Sequence, residues 1–176
     1  MSTCDRLPFS AFPSGMNLQT VDLQSLQHGT GSNELPAGLR LRVFGPGENV
    51  AADPHNEQFR WLTVLQQGLG HDPYLVLVQD SSNQVVAELP LCFVHSRLFG
   101  RFLVSLPYIN SSGVMAQSQP AAKLVVDRAV ELASQLDRRL LELRHETPIA
   151  RPALTKTVSE KVHMRLSLPK SITELR

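Results

Sequence analysis

The segment from Pro73 to His95 constrains this chain more than any other. Tyr74-Leu75-Val76-Leu77-Val78 and the run from Val85 to His95 are joined by Asp80-Ser81-Ser82-Asn83-Gln84. The joining residues have turn chemistry, so the pair reads as a β-hairpin. Neither run alternates apolar with polar residues. Both are apolar at successive positions, and so on both faces, and a strand of that kind is covered on both faces. Pro90 has no backbone donor, which predicts a bulge or a splayed edge beside it. Glu88 is the only acidic group in the second run; it is expected to face outward near an edge or to be held by a partner, with a general base of raised pKa as the sharper alternative.

The flanking segments supply the cover. Leu39, Leu41 and Val43 alternate with Arg40, Arg42 and Phe44, which predicts a strand with one buried face, ended by Gly45-Pro46-Gly47. Asp53 as N-cap and Pro54 as first helical residue open a helix through Gly68, with Phe59, Leu62, Leu65 and Leu69 as its apolar stripe and Trp61 beside it. Arg101–Leu106 reads as a third strand after the hairpin, followed by the polar loop Tyr108–Val114. Ser118 and Pro120 open a second helix whose Ala122, Val125, Val126, Ala129, Ala133 and Leu136 lie at helical spacing. Leu140–Arg144 reads as a strand. Lys161–Leu168, where Val162, Met164, Leu166 and Leu168 alternate with polar residues, reads as the last one. Residues 1–38 are rich in Ser, Gln, Pro and Gly, lack a period, and read as a poorly ordered leader with one short turn of structure around Val21–Leu26. Hairpin-linked strands followed by a strand delivered through a helix make a mixed sheet with helices on its faces, an α/β (α+β) class of fold.

Composition narrows the function classes. Hydrophobic residues make up 42% and charged residues 19%, which excludes wholesale disorder. The net charge of +1 excludes a globally basic nucleic-acid binder, although eight basic and twelve acidic residues precede Arg138 while nine basic and four acidic ones lie from Arg138 onward. No apolar run reaches the length of a membrane span. Two cysteines, Cys4 and Cys92, make no disulfide framework and fit a reducing compartment, the cytoplasm. His28, His55, His71, His95, His145 and His163 include no i, i+4 pair, so no metal site is expected. Cys92 in an apolar strand reads as a small hydrophobe. Arg97 and Arg101 bracket the turn Leu98-Phe99-Gly100, as an anion clamp or as ordinary exposed arginines. Asn110-Ser111-Ser112-Gly113, between a strand and a helix, is the nearest thing to an anion-binding loop.

The run Glu88-Leu89-Pro90-Leu91, Ser96-Arg97-Leu98-Phe99-Gly100-Arg101 and Leu103-Val104-Ser105-Leu106-Pro107-Tyr108 resembles the first domain of FemA/FemB-like proteins, of the group found with bacterial exosortase and PEP-CTERM export systems. Trp61 through Tyr74, Leu141-Glu142-Leu143-Arg144 and Lys161-Val162-His163-Met164-Arg165-Leu166 resemble further segments of that domain, so the resemblance covers roughly residues 39–170. It implies a GNAT-like (acyl-CoA N-acyltransferase) fold with a mostly antiparallel sheet flanked by helices. It also implies the N-terminal half of an acyl- or aminoacyltransferase acting on an amine of a cell-envelope precursor, with acyl-CoA or aminoacyl-tRNA as donor. The substrate-binding residues it points to are Tyr108, Asn110, Ser112 and Gly113: Tyr108 and Asn110 to orient substrate, Gly113 to permit close backbone approach. The relatives carry two such domains. Residues 171–176 stand about where the second would begin, so a second GNAT-like domain or a second copy is the expected partner. Ser111-Ser112-Gly113 replaces an aromatic and two glycines of the relatives, and the phosphate loop of spaced glycines is missing. The alternatives are a non-catalytic GNAT-like binding or interaction module and an acetyl-CoA-dependent N-acetyltransferase.

Overall fold

The computed structural model describes residues 16–22, 38–48, 57–98, 100–137, 140–145, 149–154 and 156–161. In chain order the elements are β1 (Met16–Asp22), β2 (Arg40–Phe44), α1 (Glu57–Leu69), β3 (Asp72–Gln79), β4 (Val85–Ser96), β5 (Gly100–Val104), β6 (Met115–Ala116), α2 (Gln119–Gln135), β7 (Leu140–His145) and β8 (Lys156–Lys161). The strands form one mixed, mostly antiparallel sheet in the order β2-β3-β4-β5-β7-β1-β8, with β6 on β4. Its one parallel pairing among the described residues is β5 with β7.

The apolar hairpin is the centre of the molecule. Along β4, Ala87, Leu89, Leu91 and Phe93 pack with Val125, Val126, Ala129 and Ala133 of α2. Cys92 and Val94 face the other way, against Leu62 and Leu65 of α1. Period-two alternation of the pleat thus feeds two separate cores, one under each helix. Alanines at Ala121, Ala122, Ala129 and Ala133 are buried and keep the α2 surface facing the sheet shallow. Leu132, which the helical stripe read from the sequence omitted, is buried there as well.

Capping follows the local chemistry. The Ser118 hydroxyl accepts from Ala121 N–H and Pro120 sits in the first turn of α2. α1 stops at Gly70, which has φ +66 and donates to Gln66 O, while His71 N–H donates to Leu65 O. The region of the expected Asp53 cap lies outside the described residues. Leu62 and Leu65 are buried as their spacing predicts, but Leu69 is exposed where α1 ends. On β2, Arg40 and Arg42 are exposed and Leu41 and Val43 are half-buried; Phe44 is half-buried because the Arg42 guanidinium lies over its ring at 4.7 Å.

Three expectations are corrected. Within the segment read as a poorly ordered leader with one short turn, residues 16–22 form β1, antiparallel to β7 on one side and β8 on the other. Its sequence, MNLQTVD, has no buried-face period of its own, and partners far along the chain decide its conformation. No bulge sits at Pro90, which is in register with Leu75 of β3; the irregularity falls at the turn, between Val78 and Gln79. On its other side β4 pairs β6 at Ala87 and Glu88 and β5 from Cys92 onward, so beside Pro90 that flank of β4 is unpaired, as the splayed-edge alternative has it. β5 ends at Val104 rather than Leu106, because Leu106 takes φ +42. Among the described residues the final strand is Lys156–Lys161, an edge strand paired to β1; the strand expected over Lys161–Leu168 lies, past Lys161, outside the described residues.

Truncating Leu89, fully buried at the centre of β4, to alanine is expected to cost about 2–5 kcal/mol. Ser118→Ala is expected to cost about 1 kcal/mol through loss of the cap. Chemical denaturation of both variants measures these values, and a Ser118→Ala loss equal to that of Leu89→Ala contradicts the division of labour.

Candidate functional site

The chain leaves the sheet between β5 and β6 and returns ten residues later, and this excursion carries all four residues the sequence singled out. It is pinned to β7 by Ser105. Ser105 N–H donates to Glu142 O at 2.9 Å. The Ser105 hydroxyl accepts from Arg144 N–H at 2.7 Å and donates to Ser112 O at 3.3 Å. Ser112 N–H then donates to Arg144 O at 2.7 Å. One buried hydroxyl therefore prolongs the short β5–β7 seam and ties the two ends of the loop together. Arg144 adds a bond from its guanidinium to Ile109 O at 3.1 Å and is itself held by Glu142 at 2.5 Å.

The structure divides the four residues into two pairs. Tyr108 (69% exposed) and Asn110 lie on the outside of the loop. Tyr108 has φ +68, a conformation that a bulky residue keeps only where its surroundings enforce it. Here the hold comes from Leu106 and Ile109, which pack with Leu62, Leu65, Cys92, Val94 and Val104 under α1. It also comes from His71, whose Nε2 lies 3.2 Å from the Tyr108 hydroxyl, with the two rings stacked at 6.1 Å. Ser112 and Gly113 lie inside. The Ser112 hydroxyl is buried with no hydrogen-bond partner among the described residues. Gly113, at φ +156, faces the backbone of His145: a Cβ built there would stand 2.8 Å from His145 Cβ and 3.2 Å from its N and Cα. The close approach that Gly113 permits is made by β7.

His145 is a residue the sequence reading missed. Its side chain is 4% exposed, and burial pushes its pKa down to about 4. Parity was the available signal, since Leu141, Leu143 and His145 share one face of β7. Glu88 is 7% exposed, opposite Leu77 on β3 and Met115 on β6, and is engaged within the fold rather than turned outward. Cys92 is buried and its thiol is pushed up to about 12, first by burial and then by Asp72, as a packing cysteine would be. Arg97 and Arg101 are exposed at the β4–β5 turn. No group of three or more metal-ligating side chains occurs among the described residues.

Several backbone donors near this loop are already committed. Ser112 N–H bonds Arg144 O, Gln117 N–H bonds Val86 O, and Ala122 N–H bonds Ser118 O. Ala121 N–H is taken by the Ser118 hydroxyl, and Pro120 has no N–H. Gln119 is left as the one first-turn amide of α2 able to meet an anion, so this helix start does not form the multi-donor cradle a pyrophosphate needs. The start of α2 thus does not fit the phosphates of acyl-CoA.

No protein-family model matches the chain, and no curated protein matches it. Among solved structures it is similar to a tandem GNAT protein from the clavulanic acid biosynthesis pathway, determined without AcCoA, at 13% identity and a TM-score of 0.47. The alignment covers 78% of this chain and 46% of that protein, so the chain spans about half its length.

Gly113→Ala is expected to destabilise the fold by about 1–3 kcal/mol, since the added methyl meets β7 backbone and not a movable side-chain end. Ser105→Ala is expected to cost a similar ~1–3 kcal/mol by stranding Arg144 N–H. Urea titrations read both; wild-type stability in either variant would break the account of the seam. His145 binds its proton more weakly folded than unfolded, so between pH 6.5 and about 4 the unfolded chain holds the extra proton. Stability therefore falls as pH is lowered through that window, by roughly 3 kcal/mol for a shift of this size. His145→Gln should flatten the slope over that window, and an unchanged slope assigns it to other groups.

Proposed function

We propose that this chain is a GNAT-like module of a FemA/FemB-like transferase that moves an acyl or aminoacyl group onto an amine of a cell-envelope precursor. In this reading the module supplies the acceptor side of the site. The amine nitrogen attacks the donor's carbonyl carbon, a C–N bond forms, and the C–S bond of a thioester or the C–O bond of an aminoacyl ester breaks. The amine's proton passes to solvent or a base, and the leaving thiol or hydroxyl takes one up. Such chemistry is accelerated by holding the two reactants in line more than by a dedicated nucleophile. Tyr108 and Asn110 would do the holding, with Ser112 and Gly113 fixing the loop behind them.

The observation that carries the reading is the loop itself. It stands at the parallel β5–β7 seam, is tied from behind by Ser105 and Arg144, and presents Tyr108 outward in an enforced backbone conformation. Strain held by surrounding structure clusters at ligand-binding positions. Because the α2 amides are committed, the donor is assigned to a second GNAT-like domain, in the same protein or a partner. A second reading, a non-catalytic interaction module, is favoured by Trp61 and Val64, which α1 leaves exposed on one flank.

Titration of acetyl-CoA and of aminoacyl-tRNA onto the purified chain separates the readings. The transferase reading expects no acetyl-CoA binding by the chain alone. It also expects Tyr108→Ala or Asn110→Ala, at the matching positions of a two-domain relative, to lower kcat/KM by roughly tenfold to a hundredfold. Turnover untouched by both substitutions sinks it. Binding of neither donor together with self-association through α1 supports the interaction module, and tight acetyl-CoA binding would instead make the chain an independent N-acetyltransferase.

A further inference from the structure

The β4–β5 hairpin overhangs the sheet. β3 begins at Asp72, opposite Phe93, whereas β4 and β5 continue as a two-stranded ribbon through Val94↔Phe102, His95↔Arg101 and Ser96↔Gly100. At the tip, Leu98 N–H donates to the Ser96 hydroxyl at 3.3 Å, and Leu98 is 82% exposed, the most exposed of the large apolar side chains described. Arg97 and Arg101 flank it. Both are exposed, and neither has an acidic partner among the described residues. The nearby carboxylate of Asp72 lies 3.5 Å from His95 Nε2. α1 ends at the same end of the sheet, where Leu69 is exposed, and Tyr108 is joined to that corner through His71.

The geometry points to this end of the molecule as a docking surface for an anionic phospholipid bilayer. A projecting tip can sink into a yielding surface. An exposed leucine between two unpaired arginines matches the layering of a bilayer interface, with apolar groups below and phosphates at the rim. An aromatic residue with a polar tip, as Tyr108 is, favours the same depth. The surface is assembled from a hairpin turn, a helix end and a loop, and in this proposal it lies on the bilayer. No helix among the described residues is long and apolar enough to do so. This inference stands apart from the transferase reading, because its readout is lipid binding and not turnover.

The test is co-sedimentation of the full chain with vesicles of phosphatidylcholine and phosphatidylglycerol in equal parts, and with vesicles of phosphatidylcholine alone. The expected result is binding to the anionic vesicles that weakens as salt is raised. Arg97→Glu/Arg101→Glu should weaken it by at least about tenfold, and Leu98→Asp should weaken it as well. Lys123→Glu/Lys156→Glu, the same charge change elsewhere on the chain, should bind as wild type does apart from a small general charge effect. Circular dichroism establishes that each variant is folded. Trp61 is the only tryptophan in the sequence, so Leu98→Trp in a Trp61→Phe background places the only indole at the tip. Its emission should shift to the blue on anionic vesicles. Failure of the wild type to bind them at low salt overturns the proposal, and so does equal binding by the double arginine variant. If vesicles bind nothing but the chain self-associates and Leu98→Asp makes it monomeric, the surface is a protein interface and the proposal is wrong.

Discussion

The fold depends on a narrow seam. β2, β3, β4, β5 and β6 form one antiparallel set and β7, β1 and β8 another, and the two meet in the β5–β7 register Leu103↔Leu141 and Val104↔Glu142. Two register pairs are a short join between two such sets. Ser105 lengthens it without lengthening the strand: its backbone bonds Glu142 and its hydroxyl bonds both Arg144 and Ser112. α2 spans the same join from above, its apolar stripe resting on Leu91 and Phe93 on one side and Leu141 and Leu143 on the other. A buried hydroxyl with both its roles used is well suited to such a place, because any alternative register would leave polar groups without partners in the core.

That seam also makes the loop. A chain leaving β5 must reach β6, which lies farther along the same flank of β4, and it does so by way of β7. The residues that turn inward, Ser112 and Gly113, become part of the packing, with Gly113 admitting the His145 backbone. The residues that turn outward, Tyr108 and Asn110, are presented with their backbone already fixed. Preorganisation of this kind lowers the ordering cost of binding. The same economy removes the anion site: Ser118 caps α2 so fully, and Pro120 removes so useful a donor, that the helix start is a structural joint and not a phosphate cradle.

Much of this was legible in the residues. Apolar positions on both faces of β4 announced a double-covered strand, and the two cores under α1 and α2 are that strand's consequence. The α2 cap was legible because Ser118 and Pro120 act on their own neighbours. The position of the loop was legible too, since Pro107 and Gly113 bracket it. What could not be read was how its residues divide between inside and outside, or that His71, close behind the end of α1, holds Tyr108. Those contacts join segments tens of residues apart, and no local preference encodes them.

The sequence by itself determined the elements whose energetics are local or periodic: the hairpin, the α2 helix with its cap, and the strand over Leu140–Arg144. Tertiary structure alone decided the rest. β1 is a strand only because β7 and β8 offer it two edges, and Pro90 stands where neither β5 nor β6 pairs β4. Likewise His145 holds its proton weakly only because the fold takes it out of water. In each case the deciding term is the burial or pairing of a group against partners distant in the chain, which comes into being with the fold and is absent from any stretch of sequence read alone.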